Sequence, residues 1–421
     1  MLTSHLPTLV GRAYRCQCGC PVFFRNSACL ACGAPLGYET RLAILTPLRR
    51  GAVEGTWVVW QTQTEPQPQL QSQSQSQGQG QGQGDLQAEN FVQSYTRCAN
   101  LLTPAACNWL VALPAPNTNG SVAPAQLLCQ ACRLNRTIPD LNDAAHPDNG
   151  VLWGRVELAK RRLFSSLLAL GLPVKSLITE DPQRGLAFDL LRSPDGGPPV
   201  MTGHDGGLIT LNLLEADDAA REAIRAAMRE PYRTLLGHFR HEIGHYYWDR
   251  LVKGTPWMDG FHALFGDETQ DYAAGLQKNY SEGPPVDWAL HYVSAYASSH
   301  PWEDWAECWA HYLHMRDTVD TAASLGLAAQ GMDSAYLEFT PFTLDALYQS
   351  DHPDAQNFLD FLNDWTRLST LLNEMSRSMG QPDFYPFVLP REVVAKLHLV
   401  HLLVTAGDWQ MSTDSNKLLL N

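Results

Sequence analysis

From about residue 150 the chain alternates between helical and extended patterns of hydrophobic positions. VELAKRRLFSSLLAL, Val156 to Leu170, repeats apolar residues at helical spacing and is stopped by Gly171 and Pro173. Three short β-prone runs follow, AFDLLR, PVMTGHDGG and LITLNL. The turn-rich SPDGGP and HDGG divide them, which predicts a small antiparallel sheet. The helical period returns from Glu215 to Arg229. Pro231 is placed to open a further helix, which carries LLGHFRHEIGHYYWDRL as far as Gly254 and Pro256. The remainder is mainly helical, and REVVAKLHLVHLLV has the apolar spacing of a core helix. The predicted fold class is α+β.

Residues 61–90, QTQTEPQPQLQSQSQSQGQGQGQGDLQAEN, offer almost nothing to bury. No burial offsets the entropy of ordering them, so a disordered insert is expected. Elsewhere the composition is that of a globular protein, 44% hydrophobic over 421 residues, which can build its cores without disulfides. The formal charge of −14 argues against a protein that coats nucleic acid or anionic membrane with its whole surface. The first 60 residues differ. Arg12, Arg15, Arg25, Arg41, Arg49 and Arg50 outnumber Glu39 and Glu54 there, which leaves nucleic-acid contact open for this part alone. The N-terminal MLTSHLPTLVGRAYRC has no basic region leading into an apolar run, and no stretch has the length to span a bilayer. A cytoplasmic location is expected, with no membrane partner.

The sharpest motif is His241-Glu242-Ile243-Gly244-His245, a complete H-E-x-x-H. Residues four apart on a helix share a face, so both imidazoles can reach one zinc while Glu242 points toward its water. A catalytic zinc needs a third protein ligand and an open position. The segment from Tyr296 to His314 supplies one. At 3.6 residues per turn, Glu303, Glu307, His311 and His314 share one arc and Trp302, Ala306, Trp309 and Leu313 another. Glu303 is the expected third ligand, and Glu307, one turn on, the acceptor for a ligating imidazole. Asp267, Glu268 and Asp271 in FGDETQDY form a rival group for the third ligand, although a solvated or helix-capping role suits them better.

Nine of the ten cysteines precede residue 133, most in C-x-C or C-x-x-C pairs, which in a reducing compartment favours zinc over disulfides. Cys29 and Cys32 can close a structural site with Cys16 and Cys18, with Cys20 the alternative to Cys18 in C-Q-C-G-C. Cys98, Cys107, Cys129 and Cys132 form a second set, and Cys308 reads as a core residue. One catalytic and two structural zinc ions are therefore expected.

The H-E-x-x-H helix followed by Tyr296, Glu303 and Glu307 resembles the glutamate-zincin peptidases, with a spacing similar to that of the catalytic domain of anthrax lethal factor. That resemblance implies that Tyr296 stabilises an oxyanion, Glu303 binds zinc and Glu307 supports a histidine. Outside the Gln-rich tract the chain also resembles a bacterial family of zinc-binding metallopeptidases that begin with a zinc ribbon. CNWLV, CRLNRTIPDL, AKRRLFSSLLALGLPV, VMTGHDGGLITLN, EPYRTLLGHFRHEIGHYYWDRL and HPWEDWAECWAHYLH carry it. The implied organisation is a zinc-ribbon module at 1–60, the insert at 61–90 and a second cysteine-rich segment at 91–135. A zincin-like catalytic domain at 150–320 and a helical region at 321–421 packing on it complete the chain.

The expected reaction is peptide hydrolysis. Zinc acidifies a water, Glu242 takes its proton, and zinc with Tyr296 stabilises the tetrahedral oxyanion. LITLNL, as an edge strand above the metal, would pair with an extended peptide or protein substrate, and His204 beside it either contacts substrate or serves as a structural turn residue. The same chemistry would serve a zinc-dependent amidohydrolase acting on a non-peptide amide. A different class, a non-catalytic zinc scaffold or a regulator binding nucleic acid or protein through the basic N-terminal ribbon, fits less well with an intact Glu242.

Overall fold

The computed structural model describes residues 6–60, 93–114, 126–228, 230–327, 338–341 and 352–407. The Gln-rich tract at 61–90 lies outside them. Strands β1 (Tyr14–Arg15) and β2 (Pro21–Val22) pair antiparallel around the first cysteines. A five-stranded antiparallel sheet follows in sequence order: β3 (Leu36–Glu39), β4 (Ile44–Arg50), β5 (Trp57–Val59), β6 (Tyr95–Arg97) and β7 (Leu110–Ala112). Strands from both sides of the Gln-rich tract thus share one sheet, with Trp57 of β5 paired to Tyr95 of β6. Its two ends meet at a bridge between Tyr38 and Trp109, whose buried rings lie 5.1 Å apart, so the sheet nearly closes into a barrel.

The second half opens with β8 (Asn135–Thr137) and the long helix α1 (Asn149–Ala169), which starts well before Val156. Then come β9 (Ala187–Leu191), β10 (Gly203–Asp205) and β11 (Leu208–Asn212), and the sheet order is β10-β11-β9-β8. The fold is α+β, but the strand directions here differ from the expected all-antiparallel arrangement. Only β10 and β11 form an antiparallel hairpin, turned by Gly206 and Gly207 at φ of 54° and 87°. β9 runs parallel to both β11 and β8. The cause lies between the runs. The prolines of SPDGGPP cannot donate to a ladder, so residues 192–202 carry the chain outward to the sheet edge and the hairpin brings β11 back beside β9. LITLNL is therefore internal, and β10 is the edge.

Helix α2 (Asp218–Ala227) is capped by the Asp217 side chain, which accepts from Ala220 N, so it starts after Glu215. Helix α3 (Leu235–Tyr247) begins later than Pro231 because Thr234, with extended backbone, is its N-cap and accepts from Gly237 N at 3.0 Å. The remaining α-helices among the described residues are α4 (Met258–Phe265), α5 (Tyr272–Glu282), α6 (Trp288–His291), α7 (Pro301–Ser324), α8 (Ala355–Ser378) and α9 (Arg391–Thr405). Phe164 of α1, Phe188 of β9 and Phe239 of α3 stack edge to face at 5.8 Å spacings in the core between helices and sheet. No helix among the described residues is long and apolar enough to cross a membrane.

One buried carboxylate ties the two halves together. Asp317 of α7 accepts from Arg12 of the N-terminal segment at 2.9 Å, from Arg162 of α1 at 2.8 Å and from Arg240 of α3 at 2.8 Å. Burial alone would raise the Asp317 pKa, but the three guanidinium groups outweigh it and hold the carboxyl well below its ordinary range. Removing the charge leaves buried cations unpaired, and breaking such a pair costs about 3–5 kcal/mol. Asp317→Asn should therefore lose about that much stability in urea unfolding at pH 7. A carboxylate with a depressed folded pKa stabilises fully above its unfolded value of about 3.9. That contribution is lost as pH falls through the folded pKa, so the gap between wild type and variant should close only under acid conditions.

Candidate active site

The site stands where α3 crosses α7. The crossing is close because small residues face each other there. A Cβ on Gly244 would lie 3.0 Å from the Ala306 Cα and 3.2 Å from the Trp309 Cβ. Trp305 Nε1 donates to the Gly244 carbonyl at 2.9 Å, which fixes the sliding position of one helix on the other. Gly244 is thus the interior residue of the H-E-x-x-H motif that lets the second helix approach. Pro301 at the start of α7 and the His300 N-cap, whose ring accepts from Trp302 N, set where the first turn of that helix lies.

This crossing brings three side chains to a point. The Nε2 atoms of His241 and His245 lie 3.2 Å apart. Glu303 Oε2 is 2.9 Å from His241 Nε2, and Glu303 Oε1 is 3.6 Å from His245 Nε2. Glu303 is only 1% exposed, so its charge has no bulk water to solvate it. Glu307 Oε1 sits 2.7 Å from His241 Nδ1, and Glu307 Oε2 accepts from Ser294 Oγ at 2.7 Å. The His241 ring opposes burial of the Glu307 charge and holds that carboxyl at about 2. Glu307 is therefore an ionised acceptor for His241 Nδ1, which leaves His241 Nε2 as the ring atom that faces His245 and Glu303.

The arrangement fits a divalent cation. Glu303 Oε2 is buried without an assigned hydrogen-bond donor and faces His241 Nε2 at 2.9 Å. Burial disfavours a cationic His241, yet the carboxylates of Glu303 and Glu307 outweigh it and raise its pKa well above normal. Burial likewise opposes the charge on Glu303, and the two histidines overcome it to lower that pKa. Two imidazoles and one carboxylate converging within 4.8 Å are the donor set of a zinc site that keeps a position open.

Two groups of four thiols converge elsewhere. Cys16 and Cys32 have sulfurs 3.5 Å apart, and Cys18 and Cys29 have theirs 3.7 Å apart, too far for a disulfide bond of about 2.05 Å. Gly19 at φ 84° and Gly33 at φ 72° bend each knuckle so that their N–H groups reach Cys16 O and Cys29 O. Cys18 joins this group and Cys20 does not. Cys98, Cys107, Cys129 and Cys132 form the second group, all buried, and Cys132 Sγ lies 3.8 Å from Glu157 of α1.

Residues 149–403 match the family described as "Putative zinc-binding metallo-peptidase", and residues 13–81 and 67–143 match a zinc-ribbon domain. The chain belongs to this zinc-binding metallo-peptidase family. It is also 40% identical over 397 residues to an uncharacterized protein of Mycobacterium tuberculosis and to an uncharacterized protein of Mycobacterium bovis. The match spans 93% of this chain and 95% of each relative. No solved structure matches the chain.

Around this cluster the sequence-predicted residues are distributed unevenly. Glu242 is buried, and its carboxylate has no hydrogen-bond partner among the described residues. The Tyr296 ring lies 6.0 Å from that of His241. The rival carboxylates stand apart from the histidines. Glu268 pairs with His262, Asp267 accepts from Thr269 and Asp271 caps α5. His311 and His314, on the same arc as Glu303, point elsewhere, to the Tyr385 hydroxyl and to Arg240. His204 belongs to strand β10 rather than a turn, and its Nε2 accepts from Gly207 N. Cys308 is buried and donates to Asp304.

Three neighbours of the site carry no motif. The Tyr272 hydroxyl donates to Glu303 Oε1 at 2.6 Å, Ser294 holds Glu307, and Trp302 covers His245 with ring centroids 3.9 Å apart. Trp302 reads in sequence as part of an apolar face, and only the fold turns it onto the ligand. His262, Asp267 and Glu268 form a fourth cluster of metal-type donors, but it is largely exposed, so the two thiol groups and the His241, His245 and Glu303 group predict three zinc ions per chain by metal analysis. Glu303→Ala should lose one of them and Glu268→Ala none, and the reverse pattern would show that the third ligand lies in the α4–α5 loop.

Proposed function

We propose that the chain is a zinc-dependent peptidase with zinc held by His241, His245 and Glu303, and with structural zinc in both cysteine groups. The observation that carries this reading is the convergence of those three side chains, with Glu242 next to His241 in the chain and its carboxylate without a hydrogen-bond partner among the described residues. Bound there, zinc would supply Lewis acidity, which acidifies water and polarises a substrate carbonyl. Glu242 acts as the general base that takes the water proton and then delivers it to the leaving amine. Burial, then the nearby Glu303 charge, raise the Tyr296 phenol, so it stays protonated and can donate to the developing oxyanion. The Glu307–Ser294 pair keeps the proton of His241 on Nδ1. The spacing shared with the glutamate-zincins, lethal factor among them, supports the same roles.

A peptide is favoured over other amides by the sheet edge. Among the described residues β10 pairs only with β11, and its His204 ring lies 6.2 Å from that of the Trp302 that covers His245. An extended chain adding to β10 would run past the metal ligands. A pure scaffold has no chemical need for an unpaired carboxylate beside such a site.

The test is digestion of a peptide library by purified protein, with a chelator control. Glu242→Gln should retain all zinc and lose hydrolysis, since the amide keeps the shape but cannot take a proton. Wild-type cleavage by this variant would remove Glu242 from the mechanism. Tyr296→Phe should keep zinc content and lower turnover roughly 100- to 1000-fold. Unchanged turnover, on a substrate for which chemistry is rate-limiting, would assign Tyr296 to packing alone.

A further inference from the structure

We propose that Tyr272 is a positioning residue for the metal centre: its hydroxyl engages one oxygen of Glu303 and so presents the other as the metal ligand. The inference rests on the reading that His241, His245 and Glu303 hold a metal. The two Glu303 oxygens are not equivalent. Oε1 accepts from the Tyr272 hydroxyl at 2.6 Å, while Oε2 has no hydrogen-bond donor and faces His241 Nε2 at 2.9 Å. A carboxylate with both oxygens free can rotate, or can bind a cation through both. A donor on one oxygen removes that freedom and sets a single ligand atom.

The phenol is held on both sides of its place in the chain. Tyr272 is the first residue of α5, whose N-cap Asp271 accepts from Ala274 N at 3.0 Å. Just before it, the Gln270 carbonyl lies 3.2 Å from His300 Nε2, and His300 is itself the N-cap of α7. Just after it, α5 packs so closely on the turn leading into α7 that a Cβ on Gly275 would lie 2.8 Å from the Ser299 carbonyl oxygen. The Tyr272 ring meets the His300 ring at 5.2 Å and the Trp302 ring at 5.8 Å, both edge to face. Apart from the Asp271 cap, these contacts are to the first turn of α7 or the residues entering it, so the same packing places both the hydroxyl and its carboxylate acceptor.

The rival lining residues do not perform this task. Ser294 and Glu307 act on His241 from the opposite nitrogen, and Trp302 covers His245 without touching a carboxylate oxygen. Tyr272 is also 38% exposed, so removal of its hydroxyl leaves no large buried defect, and Tyr272→Phe should fold.

The experiment is a competition titration of zinc against a chromogenic chelator, using the full chain with its cysteine sites loaded, for wild type and Tyr272→Phe. Cobalt spectra of the histidine site are recorded in parallel. Loss of an outer-shell partner typically weakens metal affinity 10- to 100-fold. The expected result is a loss of that size at the third site, a changed cobalt absorption, and unaltered occupancy of the two cysteine sites. Gly275→Ala, which keeps the phenol but forces α5 away from Ser299, should weaken the third site in the same direction. Equal affinities and identical cobalt spectra for wild type and Tyr272→Phe would overturn the role of Tyr272 while leaving the metal site standing. A wild-type chain that takes up only two zinc ions would overturn both readings.

Discussion

The molecule depends on one close helix crossing. Gly244 and Ala306 let α3 and α7 approach until the backbone of one touches the side chains of the other, and Trp305 locks the contact with a hydrogen bond to the Gly244 carbonyl. Metal ligands must be placed to within about half an ångström. Two histidines on one helix and a glutamate on another meet that demand only if the helices are fixed in distance and in register. A side chain at position 244 would push α7 away and carry Glu303 with it. Gly244 costs helix propensity relative to alanine, roughly 1 kcal/mol, and the structure tolerates this because the crossing has no room for a Cβ.

Buried charges brace the crossing from outside. Arg240, the residue before His241, is held by Asp317 one helix away, and the same carboxylate binds Arg12 and Arg162. Asp304, the residue after Glu303, accepts from Lys396 of α9 at 2.6 Å, and both are buried. Each ligand-bearing helix therefore has an ion pair directly beside its ligand. Such pairs add little net stability over well-packed apolar residues, but they are directional, and a side chain displaced by a helix slip would lose its partner. The C-terminal helix thereby takes part in the site without contributing a ligand.

Much of this was legible in the sequence, and the limits have physical causes. The H-E-x-x-H helix and the arc carrying Glu303 and Glu307 were visible because helical spacing places residues on a face without reference to anything distant. The same periodicity could not separate Glu303 from His311, since residues eight apart share an arc but stand about 12 Å apart along the axis. Which end of the arc meets the histidines is decided by where α7 crosses α3. Tyr272 and Ser294 lay beyond reach for the opposite reason: each acts on a glutamate distant in sequence through a single hydroxyl, and no local pattern marks that. The directions of β9 and β11 depended on where a proline-rich connection runs. Segments on either side of the Gln-rich tract looked independent because their shared sheet is made only by long-range pairing.

The two kinds of donor group differ in a way that follows from what surrounds them. The thiols of Cys98, Cys107, Cys129 and Cys132 are at most 2% exposed and lie within the main hydrophobic core. Four thiolates fill a tetrahedron around zinc, so nothing further can enter and nothing needs to. Their excess negative charge still requires an answer in so dry a place. Glu157 beside Cys132 would worsen it, were it not tied to Lys160 at 2.7 Å and to Asn135 at 2.8 Å. The histidine group is the reverse case. Its three donor side chains would leave a tetrahedron around a bound ion incomplete. A closed site anchors α1 and an open one lies across α3 and α7, and α1 is joined to both helices through Asp317. Arg12 of the N-terminal segment reaches the same carboxylate, which links the thiol-bearing half to the helices that carry His241 and Glu303.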